Sequence, residues 1–291
     1  QCINFTFENG YDILRINGGV MMIARQEYLE NLISFRDKQL IKVITGIRRC
    51  GKSTLFELYQ EYLMKNGVEK EQIISLNLED GDYSDIETHN DLYNYVNGKL
   101  LPDKMNYVFL DEVQKVSEFQ KAVDSLYVKK NVDVYITGSN AYLLSGELAT
   151  LLSGRYIEIK MLPLSFKEYV SAFPEQSNMD RLYMNYTVNS SFPYALELSK
   201  PKDIKQYLEG IYDSIVLKDI VARKKFQDVA MLQSVVRFMF DNIGNTTSTK
   251  KIADTMTSAG RSISVHTVES YLSALTDSFV FYKIGRYDVK G

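Results

Sequence analysis

Residues 40–55, "LIKVITGIRRCGKSTL", decide the fold. Gly46 is followed by four unconstrained positions and then by Gly51, Lys52 and Ser53, which is the spacing of a phosphate-binding P-loop. The two glycines permit backbone turns that side chains would block, so successive N–H groups can point inward at an anion. The first turn of the following helix adds unpaired N–H donors and a positive dipole end. The nucleotide-binding residues predicted in this way are Gly46, Ile47, Arg48, Arg49, Cys50, Gly51, Lys52, Ser53 and Thr54.

The flanks of this loop have the pattern that a P-loop requires. Residues 40–45 form an apolar run typical of a buried strand, and a 3.6-residue apolar period follows the loop until Asn66 and Gly67. Lys52 would then reach the β- and γ-phosphates as a catalytic cation. Ser53 would offer its hydroxyl to Mg²⁺, which prefers oxygen ligands. The sequence therefore predicts an ATP and Mg²⁺ site in a strand, loop and helix unit.

The bulk composition excludes several classes of protein. The chain has 291 residues, 45% hydrophobic and 24% charged, which is ordinary for a globular protein with one large and one smaller domain. A net charge of -3 gives no general attraction to nucleic acid or to an anionic membrane. No segment approaches the ~18 apolar residues of a membrane span, so we expect no membrane partner.

Two cysteines, Cys2 and Cys50, lie too far apart to indicate a disulfide framework, and we expect a cytoplasmic location. Cys50 precedes a helix N-terminus, where it is either a reactive thiol or a small residue tolerated in a tight loop. Residues 1–21 lack clean periodicity and precede Met22. We interpret them as translated upstream sequence without a native role.

A second motif, "YVFLDEVQ" at residues 107–114, supplies carboxylates for the same site. Its apolar run reads as a buried central strand, and Asp111 and Glu112 then emerge at the carboxyl edge, where such sheets bind ligands. Asp111 would hold Mg²⁺, and Glu112 would orient and deprotonate the attacking water. The alternative is two solvated acids at a strand end.

Two further polar residues are candidates for catalysis. The strand pattern at 132–137 is followed by Ser139 and Asn140, and we expect Asn140 to contact the γ-phosphate and the water, or simply to cap the next helix. Arg155, in "LLSGRY", would stabilise transition-state charge in the same chain or in a neighbouring subunit. Surface salt-bridging is the alternative for Arg155.

One more strand pattern, at residues 72–80, lies between the P-loop and Asp111. An inserted strand there matches the ATPase branch that has an extra central strand. It leaves Glu79 and Asp80 near the active edge, without an assigned role. The Asn-Lys-x-Asp motif for guanine recognition is absent from the sequence, which argues against a GTPase.

Six blocks of sequence resemble, in order, prokaryotic AAA-superfamily ATPases in which a P-loop domain precedes a C-terminal domain of unknown function. The blocks are "ITGIRRCGKSTL", "VFLDEVQKV", "ITGSNAYLLSGELATLLSGRY", "LPLSFKEY", "FPYAL" and "IVLKDIVAR". The resemblance runs from about Met22 to the end. It implies an ATP-binding core in which Lys52, Ser53, Asp111 and Glu112 have their usual roles. Such proteins typically continue past a segment like Arg286-Tyr287-Asp288 into a nuclease-like domain, so we expect this chain to be either a truncated or a naturally shortened form that lacks the nuclease residues.

The last third of the chain predicts three helices, at 234–244, 248–260 and 264–279, and then a strand in "VFYKIGRYD". This order is that of a winged helix, whose third helix often enters a DNA major groove. The outward face of that third helix is polar but not basic, so protein or intramolecular packing is favoured over DNA contact. The residues predicted outward are His266, Glu269, Ser270 and Ser273; those predicted inward are Val268, Leu272 and Leu275. Basic residues placed to touch phosphates from its edges are Lys250, Lys251, Arg261, Lys283 and Arg286.

We therefore predict an α/β P-loop NTPase fold with a parallel sheet flanked by helices, at residues 22–165. A helical linker at 166–228 and a winged-helix-like domain at 229–291 follow. The predicted function is Mg²⁺-dependent ATP hydrolysis coupled to conformational change of the C-terminal region. The alternatives are a slow ATP-gated switch that binds DNA or a protein partner, and a nucleotide kinase. Self-assembly is left open.

Overall fold

The computed structural model describes residues 13–15, 21–138, 152, 154–221 and 226–285. The chain divides into two compact units, Gln1–Tyr207 and Leu208–Gly291. The predicted domain boundaries, at 165 and 228, differ from this division between Tyr207 and Leu208 and stay predictions.

The first unit is organised by a parallel sheet of five strands in the order β4-β5-β6-β3-β7. The strands are β3 (Ile41–Thr45), β4 (Ile73–Asn77), β5 (Asn106–Asp111), β6 (Val132–Gly138) and β7 (Tyr156–Lys160). All neighbouring strands in it are parallel, so their carboxyl ends share one edge. The predicted α/β sheet with a P-loop strand is confirmed.

The position of β4 corrects one expectation. Among the described strands β4 pairs only with β5 and is an edge strand, whereas β6 lies between β3 and β5. The extra strand between the P-loop strand and the Asp111 strand is therefore 132–138 and not 72–80. Sequence order misled here because a crossover connection can skip a strand position, and packing decides which position is filled.

Helices cover both faces of the sheet because alternate strand residues point to opposite sides. On one side α1 (Gln26–Ser34) and α2 (Lys52–Lys65) share a core with Ile44, and on the other α3 (His89–Asn97) and α4 (Phe119–Tyr127) share a core with Val43. Helix α2 ends at Lys65, one residue before the predicted Asn66-Gly67 stop.

Helices follow β7, in agreement with the helical region expected from residue 166. They are α5 (Phe166–Ser171), α6 (Met179–Asn189) and α7 (Pro201–Asp213), with a short 3₁₀ helix at Pro193–Glu197. Helix α5 begins with a reciprocal cap, in which the Ser165 and Glu168 side chains each accept a backbone N–H of the other residue. A π-helical segment, Ser214–Val221, continues α7.

After the end of α7 and the π-helical segment, the described part of the second unit contains α8 (Val229–Asp241), α9 (Thr249–Ser258) and α10 (Val265–Asp277), which pack on one another. Val268 and Leu275 of α10 are buried, Leu272 is half-buried, and His266, Glu269 and Ser273 are exposed, as predicted. Ser270 is half-buried instead of outward.

The strand expected in 280–288 is not found in residues 280–285, and 286–288 lie outside the described residues. Phe279 takes a left-handed φ of 59°, and the side chain of Ile284 is 89% exposed. Within the part of this unit that the structure describes there is no partner strand to pair the backbone of 280–285. The described residues of this unit therefore contain the three helices expected of a winged helix but not the expected strand.

At the start of the chain, β1 (Ile13–Arg15) pairs antiparallel with β2 (Met21–Ile23). This pairing does not test whether residues 1–21 have a native role. No helix in the described ranges is long and apolar enough to cross a membrane.

Candidate active site

The P-loop leaves the carboxyl end of β3 and turns immediately at Gly46. Its φ is 152°, and a Cβ at this position would lie 2.2 Å from the Met161 carbonyl oxygen, so only glycine fits. Gly51 has a φ of 103° and Arg49 a left-handed φ of 63°. These turns have the geometry that the glycine spacing predicts.

Lys52 begins α2 and folds back over the loop. Its side chain is buried, and Nζ donates to the carbonyl oxygens of Gly46 at 3.1 Å and Ile47 at 3.3 Å. A phosphate bound in the loop would compete for the same ammonium group. Lys52 is therefore placed inside the loop, where the sequence predicted it.

Ser53 and Asp111, the two predicted Mg²⁺ ligands, lie together. A hydrogen bond joins the Ser53 and Asp111 side chains, and the Thr137 hydroxyl at the end of β6 donates to Asp111 Oδ1. Burial raises the pKa of Asp111, while the hydrogen bonds from Ser53 and Thr137 oppose that rise. One carboxylate and one hydroxyl, clustered at the start of a P-loop helix, are a donor set that fits Mg²⁺.

Glu112 follows β5 in a left-handed conformation, with φ 52° and ψ 45°. For a residue with a Cβ this conformation costs about 1 kcal/mol. Its backbone N–H donates to Thr137 Oγ1 at 3.1 Å, and its Oε2 accepts from Gln114 Nε2 at 2.5 Å. Thr137 therefore holds both acidic residues, Asp111 by its carboxylate and Glu112 by its backbone.

A cleft of about 260 Å³ lies beside these groups at the carboxyl edge of the sheet. It is lined by Arg48, Arg49, Ser53, Asn77, Glu79, Asp111 and Glu112. Glu79 lies 3.6 Å from Arg48 and 3.5 Å from Lys115, so it bridges the P-loop and the segment after β5. The cleft brings the predicted phosphate, metal and base residues together in one place.

Sequence reasoning missed Thr137, assigned Glu79 no role and overlooked Asn77. Asn77 ends β4 and pairs in register with Asp111. The available signal was positional: each residue ends, or follows, a strand of a parallel sheet, and all such ends share one edge.

Arg155 lies away from this cleft in its own chain. It precedes β7, whose first residue pairs with Ile41 at the beginning of β3, whereas the P-loop follows the end of β3. Its guanidinium lies 4.0 Å from Asp124 and over the Tyr127 ring. Because a parallel strand starts at the edge opposite to its carboxyl end, the reading of Arg155 as a catalytic residue in the same chain lacks geometric support. Its reading in a neighbouring subunit stays a prediction.

Two other predicted residues have different outcomes. Ser139 and Asn140 lie outside the described residues. Cys50 is fully buried, and burial raises the pKa of its thiol, so the small buried residue is the reading that fits and the reactive thiol is not supported.

Comparison with known proteins places the chain in a family. Residues 38–170 match the model of an AAA domain, and residues 180–291 match a domain of unknown function (DUF8612). An uncharacterized protein of Haemophilus influenzae is 44% identical over 274 residues, an alignment covering 93% of this chain and 68% of that protein. The chain belongs to the AAA-type P-loop ATPase family with this C-terminal domain.

A second relative is less similar to this chain than the Haemophilus influenzae protein. An uncharacterized protein of Methanocaldococcus jannaschii is 28% identical over 265 residues, covering 86% of this chain and 57% of that protein. The chain therefore spans about two thirds or less of the length of these two relatives. A Walker-type ATPase of Pyrococcus abyssi has a similar fold, with a TM-score of 0.57 at 15% identity, over 87% of this chain and 89% of that one.

Proposed function

We propose that this AAA-type ATPase binds ATP with Mg²⁺ and hydrolyses it to ADP and phosphate. The observation that carries the proposal is the junction at Thr137. This one hydroxyl holds Asp111 beside Ser53, and it holds the backbone of Glu112 at the rim of the P-loop cleft. Asp111 and Glu112, the proposed metal ligand and base, are thus held at the end of β5 beside the P-loop, an arrangement that supports phosphoryl transfer.

The P-loop residues would hold the phosphates. Backbone N–H groups of the P-loop would bind the anion, and Lys52 would exchange its bonds to Gly46 and Ile47 for phosphate oxygens. Ser53 and Asp111 would hold Mg²⁺, which neutralises phosphate charge when it is bound.

Glu112 is the proposed general base. Its carboxyl group lines the cleft and would accept a proton from water that attacks the γ-phosphate. The assignments of Asn140 to γ-phosphate sensing, and of Arg155 to a neighbouring subunit's site, belong to the same proposal.

The energy of hydrolysis would change the conformation of the second unit, which we propose acts as the effector region. The alternative is a slow switch in which ATP gates contact of this unit with DNA or a protein. Exposed Lys250 and Lys251 at the start of α9 would supply phosphate contacts for DNA, while α10 contains no Lys or Arg. The second observation favours a protein partner over DNA.

The test is steady-state phosphate release from ATP and Mg²⁺ by wild type and Glu112→Gln. Removing a general base lowers turnover by roughly 10²–10⁴-fold, and we expect ATP binding to persist because the P-loop is untouched. Glu118→Gln is the matched control, since Glu118 has the same left-handed backbone but an exposed side chain paired with Lys121.

An equal loss of turnover in Glu112→Gln and Glu118→Gln would count against Glu112 as the general base. Tight ATP binding without wild-type turnover would favour the switch. Transfer of phosphate to an added small molecule in place of water would favour the kinase.

A further inference from the structure

A buried arginine lies behind the P-loop and has no place in the predicted site. Arg25 immediately precedes α1 and is only 4% exposed. Its backbone is left-handed, with φ 51° and ψ 45°. Arginine is almost never buried unless it is paired, and a left-handed conformation carries a steric cost. Both features indicate that the surroundings hold this side chain in one position.

The guanidinium of Arg25 joins three separate segments. Nη1 donates to the Cys50 carbonyl in the P-loop at 3.2 Å, and Nη2 donates to the Leu162 carbonyl after β7 at 2.5 Å. Nε lies 2.9 Å from Glu168 Oε1 in α5, a buried ion pair that lacks the angle of a hydrogen bond. The ring of Tyr28 lies 4.8 Å from the guanidinium carbon, and its hydroxyl accepts the Leu162 N–H. One planar group therefore connects the P-loop to the segment 161–168.

The same segment supports the P-loop at a second point. The Met161 N–H donates to the Thr45 carbonyl at 2.7 Å, and the Met161 carbonyl fills the space that a side chain at Gly46 would need. Glu168 is itself fixed, because Oε2 accepts the Ser165 N–H at 2.8 Å while Oε1 faces Arg25. Arg25 is thus anchored to a rigid helix start.

The chemistry of a phosphate loop explains why such support matters. A loop whose N–H groups point inward at an anion must direct carbonyl groups outward, and a buried carbonyl requires a donor. The Cys50 carbonyl belongs to the peptide whose other half is the Gly51 N–H, directly before Lys52. A donor on that carbonyl therefore fixes the orientation of the adjoining N–H.

We propose that Arg25 is a positioning residue of the nucleotide site. It fixes the phosphate-binding shape of the loop through the Cys50 carbonyl, with Glu168 as its anchor, and it does not itself contact the nucleotide. This inference rests on the proposed function, because it assumes that the loop binds a nucleotide. Since the loop holds phosphate in both the ground and the transition state, loss of Arg25 should raise the KM for ATP and leave kcat nearly unchanged.

The experiment compares binding of ATP and ADP, with Mg²⁺, to wild type and to Arg25→Ala by calorimetry. We expect both dissociation constants to rise roughly 10- to 100-fold, the effect of losing a charged hydrogen-bond donor. Added guanidinium at millimolar concentration should restore part of the affinity of Arg25→Ala, because it can occupy the space left by the side chain. Arg181→Ala is the matched control, because Arg181 is exposed on α6 in the same unit.

A second variant covers the case in which Arg25→Ala does not fold. Arg25→Lys keeps the charge but cannot serve both carbonyls and Glu168 at once, so we expect nucleotide binding weakened several-fold at unchanged kcat. Wild-type affinity for ATP and ADP in a folded Arg25→Ala or in Arg25→Lys would overturn the role of Arg25 and leave the proposed function standing. Failure of the wild type to bind ATP or ADP would overturn the proposed function and this inference with it.

Discussion

Replacing Thr137 by valine tests the junction on which the proposed active site depends. Thr137 is fully buried at the end of β6, and its hydroxyl donates to Asp111 while accepting the Glu112 N–H at 3.1 Å. Valine fills a similar volume but makes neither bond. A hydrogen bond to a charged group contributes about 1.5–3 kcal/mol, and a buried N–H left unpaired costs about 1–3 kcal/mol.

These terms set two expected magnitudes for Thr137→Val. Because neighbouring losses do not add fully, we expect the free energy of unfolding to fall by about 2–4 kcal/mol. If the bond to Asp111 is realised in the transition state, kcat should fall roughly 10- to 100-fold, at 1.4 kcal/mol per decade. The affinity for ATP should stay close to wild type, because the hydrogen bonds that valine removes go to Asp111 and Glu112, whereas the P-loop itself is unchanged.

The pH profile gives the test a second reading. The Thr137 hydrogen bond lowers the pKa of Asp111, so its loss raises that pKa further. Less Asp111 is then ionised at low pH, and the turnover defect of Thr137→Val should shrink as the pH rises. Phosphate release across a pH series measures both effects, with Thr137→Ser as the control that keeps the hydroxyl. Wild-type turnover in Thr137→Val at every pH would refute the reasoning.

Two further predictions concern buried charge. Lys42→Met leaves the Asp133 carboxylate, which is 3% exposed, without the ammonium that pairs with it, so the free energy of unfolding measured in urea should fall by about 3–5 kcal/mol. The double variant Lys42→Met/Asp133→Asn should recover part of this free energy. No recovery would contradict the pairing of Lys42 with Asp133. Asp111→Asn tests the raised pKa of Asp111. In wild type the folded state holds the carboxyl proton of Asp111 to higher pH than the unfolded state does. The stability that this proton contributes is therefore lost as the pH rises from the pKa of Asp111 in the unfolded state through its pKa in the folded state. The asparagine cannot ionise, so without Mg²⁺ the stability of the variant relative to wild type should increase across this pH range and stay constant above it. A stability difference that does not change with pH would contradict the raised pKa of Asp111.

The local elements were predictable from sequence because they depend on short-range patterns. The apolar run before Gly46 and the 3.6-residue period after Lys52 lie within about one residue of β3 and α2. The acidic pair after 107–110 and the apolar pattern at 132–137 were likewise placed on strands that the structure contains. Glycine spacing is informative for the same reason, since a φ near 100° at Gly51 is a local requirement.

The order of strands was not predictable in this way. Residues 72–80 were read as the extra central strand, but among the described strands β4 lies at the edge and β6 is central, because hydrogen bonding between distant strands, and not sequence adjacency, sets sheet order. The same-chain reading of Arg155 lacks support for a related reason: Arg155 stands close to a loop glycine in sequence, yet the register of β7 puts it at the far edge of the sheet. The expected strand after α10 had an apolar pattern but no partner among the described residues.

By itself, the sequence determined that a phosphate loop follows a buried strand and that Asp111 and Glu112 end another, because backbone conformation and apolar periodicity are local properties. Only the tertiary structure decided which distant groups contact these residues. Thr137 hydrogen-bonds to both acidic residues, Asn77 pairs in register with Asp111, and Arg25 donates to the Cys50 carbonyl. Such contacts join residues separated by 25 positions or more. They form because the sheet and its covering helices bury polar groups that must then find partners, and no local pattern specifies which partner is near.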